Sequence, residues 1–138
     1  MGFLDTFSFD MGGFMLTCIS TLLLICFLQS GLDKIIDRKG NEVWLKEHFS
    51  NTVFKGLVSF LITFITLLEL LVAMFFFIGI IAYVIYQSTS FIQYGLMLSS
   101  ITLLCLFLGQ RIAKDYEGAY VLVVYFILTM LGCYFCII

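Results

Sequence analysis

Residues 56–110 read GLVSFLITFITLLELLVAMFFFIGIIAYVIYQSTSFIQYGLMLSSITLLCLFLGQ, and Glu69 is the only formally charged side chain among them. A helix crosses a hydrocarbon core of about 30 Å with roughly 20 apolar residues, so this stretch is too long for one crossing and must turn within itself. Gln87-Ser88-Thr89-Ser90 is the polar cluster that lets it turn. Outward from there, residues 11–32 and 118–138 are two more uncharged runs of spanning length. The expected architecture is therefore all-α: four transmembrane helices at approximately 11–35, 54–86, 91–112 and 116–138. The runs lack strict period-two alternation, which sets a barrel aside.

Composition agrees. Hydrophobic residues make up 62% of the chain and charged residues 12%, with no proline and a mean hydropathy of +1.14. A water-soluble core cannot absorb that much apolar surface. The 138 residues contain no linker or low-complexity break, so 1–138 reads as one integral membrane domain. Short connections make successive helices neighbours, and the expected form is an up-down-up-down bundle in which Gly31, Gly56, Gly79, Gly95, Gly109, Gly118 and Gly132 supply small surfaces for close helix contact. The net charge is -2 and the basic residues flank apolar spans, so the expected partners are lipids and other membrane chains or a second copy, with no nucleic acid. The first ten residues carry Asp5 and Asp10 and no basic n-region, so a cleaved signal is not expected. Met1-Gly2-Phe3-Leu4-Asp5-Thr6 fits a myristoylation pattern, one short enough to arise by chance.

The basic residues predict the topology. Lys34, Arg38, Lys39, Lys46 and Lys55 lie in or beside the first connection, and Arg111 and Lys114 in the third. The positive-inside rule puts those connections in the cytoplasm and both termini outside. In the first connection, Asn41 is a plausible N-cap for a short helix, with Trp44, Leu45, His48 and Phe49 on one side and Lys46 and Glu47 opposite. Such a helix suits the membrane interface, where an indole satisfies both its ring and its N–H. His48 has no His or Cys near it in sequence, and no metal site is expected. Arg111, Lys114, Asp115 and Glu117 form a charged turn that suits either solvent or a partner.

Phe27-Leu28-Gln29-Ser30-Gly31-Leu32-Asp33-Lys34-Ile35-Ile36, followed by Lys39-Gly40-Asn41, Trp44-Leu45-Lys46 and His48-Phe49, resembles the first-helix exit and following loop of DoxX family membrane proteins. Leu68-Glu69-Leu70-Leu71 is similar to that family's glutamate-leucine pattern, and Lys114-Asp115-Tyr116-Glu117-Gly118 falls where the family enters its fourth helix. The resemblance implies a four-helix protein of the bacterial inner membrane, in a family named after a subunit linked to quinol and thiosulfate oxidation.

Two groups of residues bear chemistry. Cys133 and Cys136 stand three apart on the last span, with Cys18 at a similar depth on the first. That constellation resembles vitamin K epoxide reductase, whose last helix carries a Cys-x-x-Cys that exchanges electrons with quinone; small hydrophobic packing is the alternative for these thiols. Glu69 lies fourteen residues, or roughly 21 Å of helix, beyond Lys55. At that depth the neighbouring spans offer Ser20, Thr21, Ser99, Ser100 and Thr129, with Thr66 on its own helix. The expectation is an inward polar layer in which Glu69 bonds to hydroxyls and, with no cation at its level, stays neutral. Catalytic candidates are then Glu69, Cys133 and Cys136. No cofactor is required by these residues, and a quinone is compatible with them. Three functions remain open: an accessory or assembly subunit of a larger respiratory or envelope complex, a quinone-linked redox protein, and a small proton-coupled transporter using Glu69.

Overall fold

The computed structural model describes residues 11–137; the myristoylation pattern, Asp5, Asp10 and the final Ile138 lie outside them. The described residues form five helices and no strand: α1 (Met11–Ile36), α2 (Arg38–His48), α3 (Val58–Tyr86), α4 (Ser90–Ile112) and α5 (Tyr116–Ile137). All but α2 are long and apolar enough to cross a membrane.

Two boundaries differ most from the sequence reading. The short helix begins at Arg38, capped by Asp37, whose carboxylate accepts from the Gly40 amide at 3.2 Å. Asn41 is therefore inside the helix, where its amide donates to the Asp37 carbonyl at 2.8 Å. Asp37 directly follows the end of α1, so one side chain caps the next helix as soon as the first stops. The second span starts at Val58 instead of 54, because the chain from 49 to 57 is held in turns. There Thr52 donates its hydroxyl to the Phe49 carbonyl and accepts the Phe54 amide, a local arrangement that competes with helix. The turn at 87–89 sits where the polar cluster requires it, with Gln87 in the left-handed region at φ 57° closing α3.

The four long helices pack as a ring in chain order. α1 lies on α3, α3 on α4 and α4 on α5; α5 closes back on α1 through a looser seam. Their packing faces are not the most hydrophobic ones, since the helices are apolar on every side. Small and hydroxyl-bearing residues mark them instead: Gly13, Ser20 and Gly31 on α1; Thr66, Ala73 and Gly79 on α3; Gly95, Ser99 and Thr102 on α4; Ala119, Thr129 and Gly132 on α5. Lipid tails attract leucine as well as a neighbouring helix does, so close backbone approach at small side chains selects the interface. Between these positions Leu23, Val72, Phe76, Ile92 and Leu96 fill the centre, each at most 1% exposed.

α3 has 29 residues, about 43 Å of helix, more than a hydrocarbon core requires. Its first turns run beside α2: the Arg38 guanidinium donates to the Thr63 hydroxyl at 2.7 Å, and the Ser59 hydroxyl donates to Glu42. Glu42 also meets Lys46 at 3.2 Å. The Ser59 hydrogen bond, and then Lys46, hold the Glu42 carboxyl below the usual carboxylate range.

Candidate functional site

The extra turns of α3 decide what Glu69 meets. Counting depth from Lys55 assumes that the helix enters the apolar layer at once, whereas its first turns lie alongside α2. Glu69 consequently sits level with the charged end of α1 and not with its centre. Lys34, two residues before that end, extends its stem and places its ammonium 3.1 Å and 3.2 Å from the two carboxylate oxygens. The expectation of a carboxyl with no cation at its level is overturned by this pair. The Lys34 ammonium also donates to the Ser30 hydroxyl at 2.7 Å and approaches the Ser30 carbonyl at 3.3 Å. Glu69 is 1% exposed and Lys34 16%, so the pair is held at the inner margin of the bundle. Oε1 of Glu69 is buried and faces the ammonium outside hydrogen-bonding geometry.

The hydroxyls expected around Glu69 are mostly buried, yet they serve their own helices. Thr66 donates to the Ile62 carbonyl at 2.6 Å, Thr129 to Tyr125 at 2.9 Å and Ser100 to Leu96 at 2.8 Å. Thr21 is exposed and bonds to the Thr17 carbonyl. Ser20 and Ser99 are fully buried and their hydroxyls have no partner among the described residues. Thr102, which the sequence reading passed over, is buried and donates to Leu98. The sequence reading places Lys34 at the membrane interface and does not single out Ser30 or Asp33 for the site, because depth counted from Lys55 sets Glu69 level with the middle of α1 and away from its charged end.

Two cavities meet at the ion pair. The smaller, about 320 Å³, is open between α1 and α5 and is lined by Gln29, Ser30, Asp33, Glu69 and Tyr125 with Cys26 and several leucines. The larger, about 500 Å³, lies under α2 against α3 and α4 and is mainly apolar. Trp44, Leu45 and Phe49 of the α2 side face Leu61, Ile62 and Ile65 across it, with Lys34 and Glu69 at its inner wall. Ser30, Glu69, Leu106 and Leu122 line both.

α2 is pinned over the larger cavity. His48 Nε2 lies 2.9 Å from Gln110 Oε1 and 3.7 Å from an Asp115 oxygen. The Trp44 indole stacks on the His48 ring at 4.6 Å between centroids. Asp115 also accepts the Gly118 amide at the start of α5, and Arg111 stacks over Tyr116 at 4.6 Å. Two of the four charged side chains of this turn, Arg111 and Asp115, are thus engaged from within. Lys39, Lys55 and Lys114 are exposed at the same end. All five thiols are free. Cys133 and Cys136 are half-buried against the core, Cys18 is exposed, and none of these three lines either cavity. No group of three or more His, Cys, Asp or Glu side chains able to hold a metal is found among the described residues.

Chemically, the site sets a donor and an acceptor side by side at the bottom of an apolar pocket, in a region where an unpaired charge is costly. No protein-family model, no curated protein and no solved structure matches the chain.

Proposed function

We propose that this is a small, DoxX-like, multi-pass protein of the bacterial inner membrane that binds an amphiphile of the quinone class at Lys34 and Glu69 and serves a larger respiratory or envelope complex as an accessory subunit. The observation that carries the reading is the Lys34–Glu69 pair at the wall of the 500 Å³ cavity. A quinone carbonyl accepts a hydrogen bond and a quinol hydroxyl donates one; an ammonium and a carboxylate placed together meet either form. Volumes of this size hold small-molecule ligands that are mostly apolar with a few fixed polar contacts. The DoxX-like run from Phe27 to Phe49 supports the same assignment. It also supplies Ser30 and Lys34 to the site and Trp44, Leu45 and Phe49 to the cavity wall.

Trp44 is the only tryptophan and lines the cavity, which makes the test direct. A short-chain benzoquinone titrated into the protein in mild detergent is expected to quench its fluorescence saturably. In Glu69→Gln and Lys34→Met variants the saturating phase is expected to be lost. Quenching that rises linearly with quinone and is the same in all three proteins sinks the reading.

In this proposal the bundle runs up-down-up-down, α2 lies at the cytoplasmic interface and both termini face outward, as the basic residues of the first and third connections favour. An alkaline phosphatase fused after Ile138 is expected to be active and a cytoplasmic reporter at the same point silent; the reverse pattern overturns the orientation. The accessory role is favoured by α5, which buries only Ala119, Thr129 and Gly132 and leaves an apolar face open to another membrane chain.

A further inference from the structure

The smaller cavity differs from the larger in more than size. Its α1 wall holds a helical stripe of Cys26, Gln29, Ser30 and Asp33, at the three- and four-residue spacing that stacks side chains on one face, with the Phe27 ring beside it. Asp33 is exposed at the end nearest the charged connections and has no side-chain partner among the described residues. Tyr125 adds a hydroxyl from α5, Glu69 adds its carboxylate from α3, and α4 contributes only Leu103 and Leu106. The titratable groups on the walls are thus Asp33, Cys26, Glu69 and Tyr125, with Lys34 behind Glu69 on the side of the larger cavity.

We infer that this cavity is a water-filled vestibule that carries protons from the aqueous phase to Glu69. Three observations combine. The volume, about 320 Å³, has room for on the order of ten waters. Its polar groups offer the several hydrogen-bond partners that hold water in place, where an apolar cavity of the same size stays dry. Glu69 is shared by the two cavities, whereas Lys34 lines only the larger one. A proton arriving through the vestibule therefore reaches the carboxylate without passing the ammonium.

The transfer is simple to balance. A hydronium ion in the vestibule gives its proton to the Glu69 carboxylate, which becomes the neutral acid, and water remains. Lys34 stays an ammonium, keeps its bond to the Ser30 hydroxyl, and is free to donate into the larger cavity. The inference deepens the ligand reading by giving that site a source of protons. The vestibule's water, however, does not depend on what the larger cavity holds.

The native cysteines report on it. Cys26 lines the vestibule, while Cys133 is packed against the core away from both cavities. Methanethiosulfonates react with thiolates, which form in water and not in lipid. Wild-type protein in mild detergent, where both ends of the bundle meet water, is treated with a charged methanethiosulfonate, and each cysteine is quantified by peptide mass spectrometry. Cys26 is expected to be modified at least about tenfold faster than Cys133. Asp33→Asn is expected to slow a cationic reagent more than a neutral one. Infrared difference spectra taken on acidification should show a carboxyl band that shifts in D2O and is missing in Glu69→Gln. Modification of Cys26 no faster than that of Cys133 overturns the vestibule. A folded protein with no such band overturns the delivery of protons to Glu69. Fast Cys26 labelling without saturable quenching of Trp44 by quinone leaves the vestibule standing and removes only the ligand.

Discussion

Replacing Lys34 by methionine while Glu69 stays in place is expected to destabilise the protein by about 3–5 kcal/mol, the cost of leaving one member of a buried pair without its partner. Methionine keeps most of the lysine stem, so the loss isolates the ammonium from the packing of its methylenes. Glu69 is 1% exposed and its only charged neighbour within ion-pair distance among the described residues is Lys34, so no other side chain takes over. The double variant Lys34→Met, Glu69→Leu is expected to recover most of the loss, since two apolar side chains need no counter-charge. Unfolding curves in mild detergent measure both. A single variant within about 0.5 kcal/mol of wild type would show that the pair does not hold α1 to α3.

The second large effect lies at the opposite end of α3. A Cβ added at Gly79 would stand 2.8 Å from the Ile92 backbone nitrogen and 3.1 Å from the Phe91 carbonyl carbon, and neither atom can rotate away. Gly79→Val is therefore expected to push α3 and α4 apart at a cost of about 3 kcal/mol. The comparison is internal. Gly13 faces only side-chain atoms of Tyr83, which can turn where backbone cannot, so Gly13→Ala should cost less, and Gly56 has nothing within 4 Å, so Gly56→Ala should be close to neutral. Equal stability of Gly79→Val and Gly56→Ala, read from the same unfolding curves, would remove the close approach of these helices.

The four spans were legible in the sequence because the length of an uncharged run is a one-dimensional property, and Gln87-Ser88-Thr89-Ser90 breaks the longest of them. Two features were not. The packing faces could not be read from hydropathy, since Leu67 and Val72 are both apolar and only one of them is buried. What separates them is the company of Thr66, Ala73 and Gly79, a signal of size and not of polarity. Glu69 was recognised as the exceptional residue, but its partner was missed because depth was counted along a helix assumed to lie wholly in the bilayer. The contact between His48 and Gln110 spans 62 positions of sequence, and no local pattern announces it.

Closure of the ring on α1 by the last helix has a consequence for how the protein is made. α1, α3 and α4 can assemble their shared core of Leu23, Phe76 and Ile92 before α5 has left the ribosome. Both cavities, however, take Leu122 from α5, and the smaller also takes Tyr125. During synthesis the site is therefore an unfinished groove, and it gains its α5 wall only when the final span docks. A nascent chain stopped before residue 116 would have most of the interior and both members of the Lys34–Glu69 pair, but not the wall that Leu122 and Tyr125 supply.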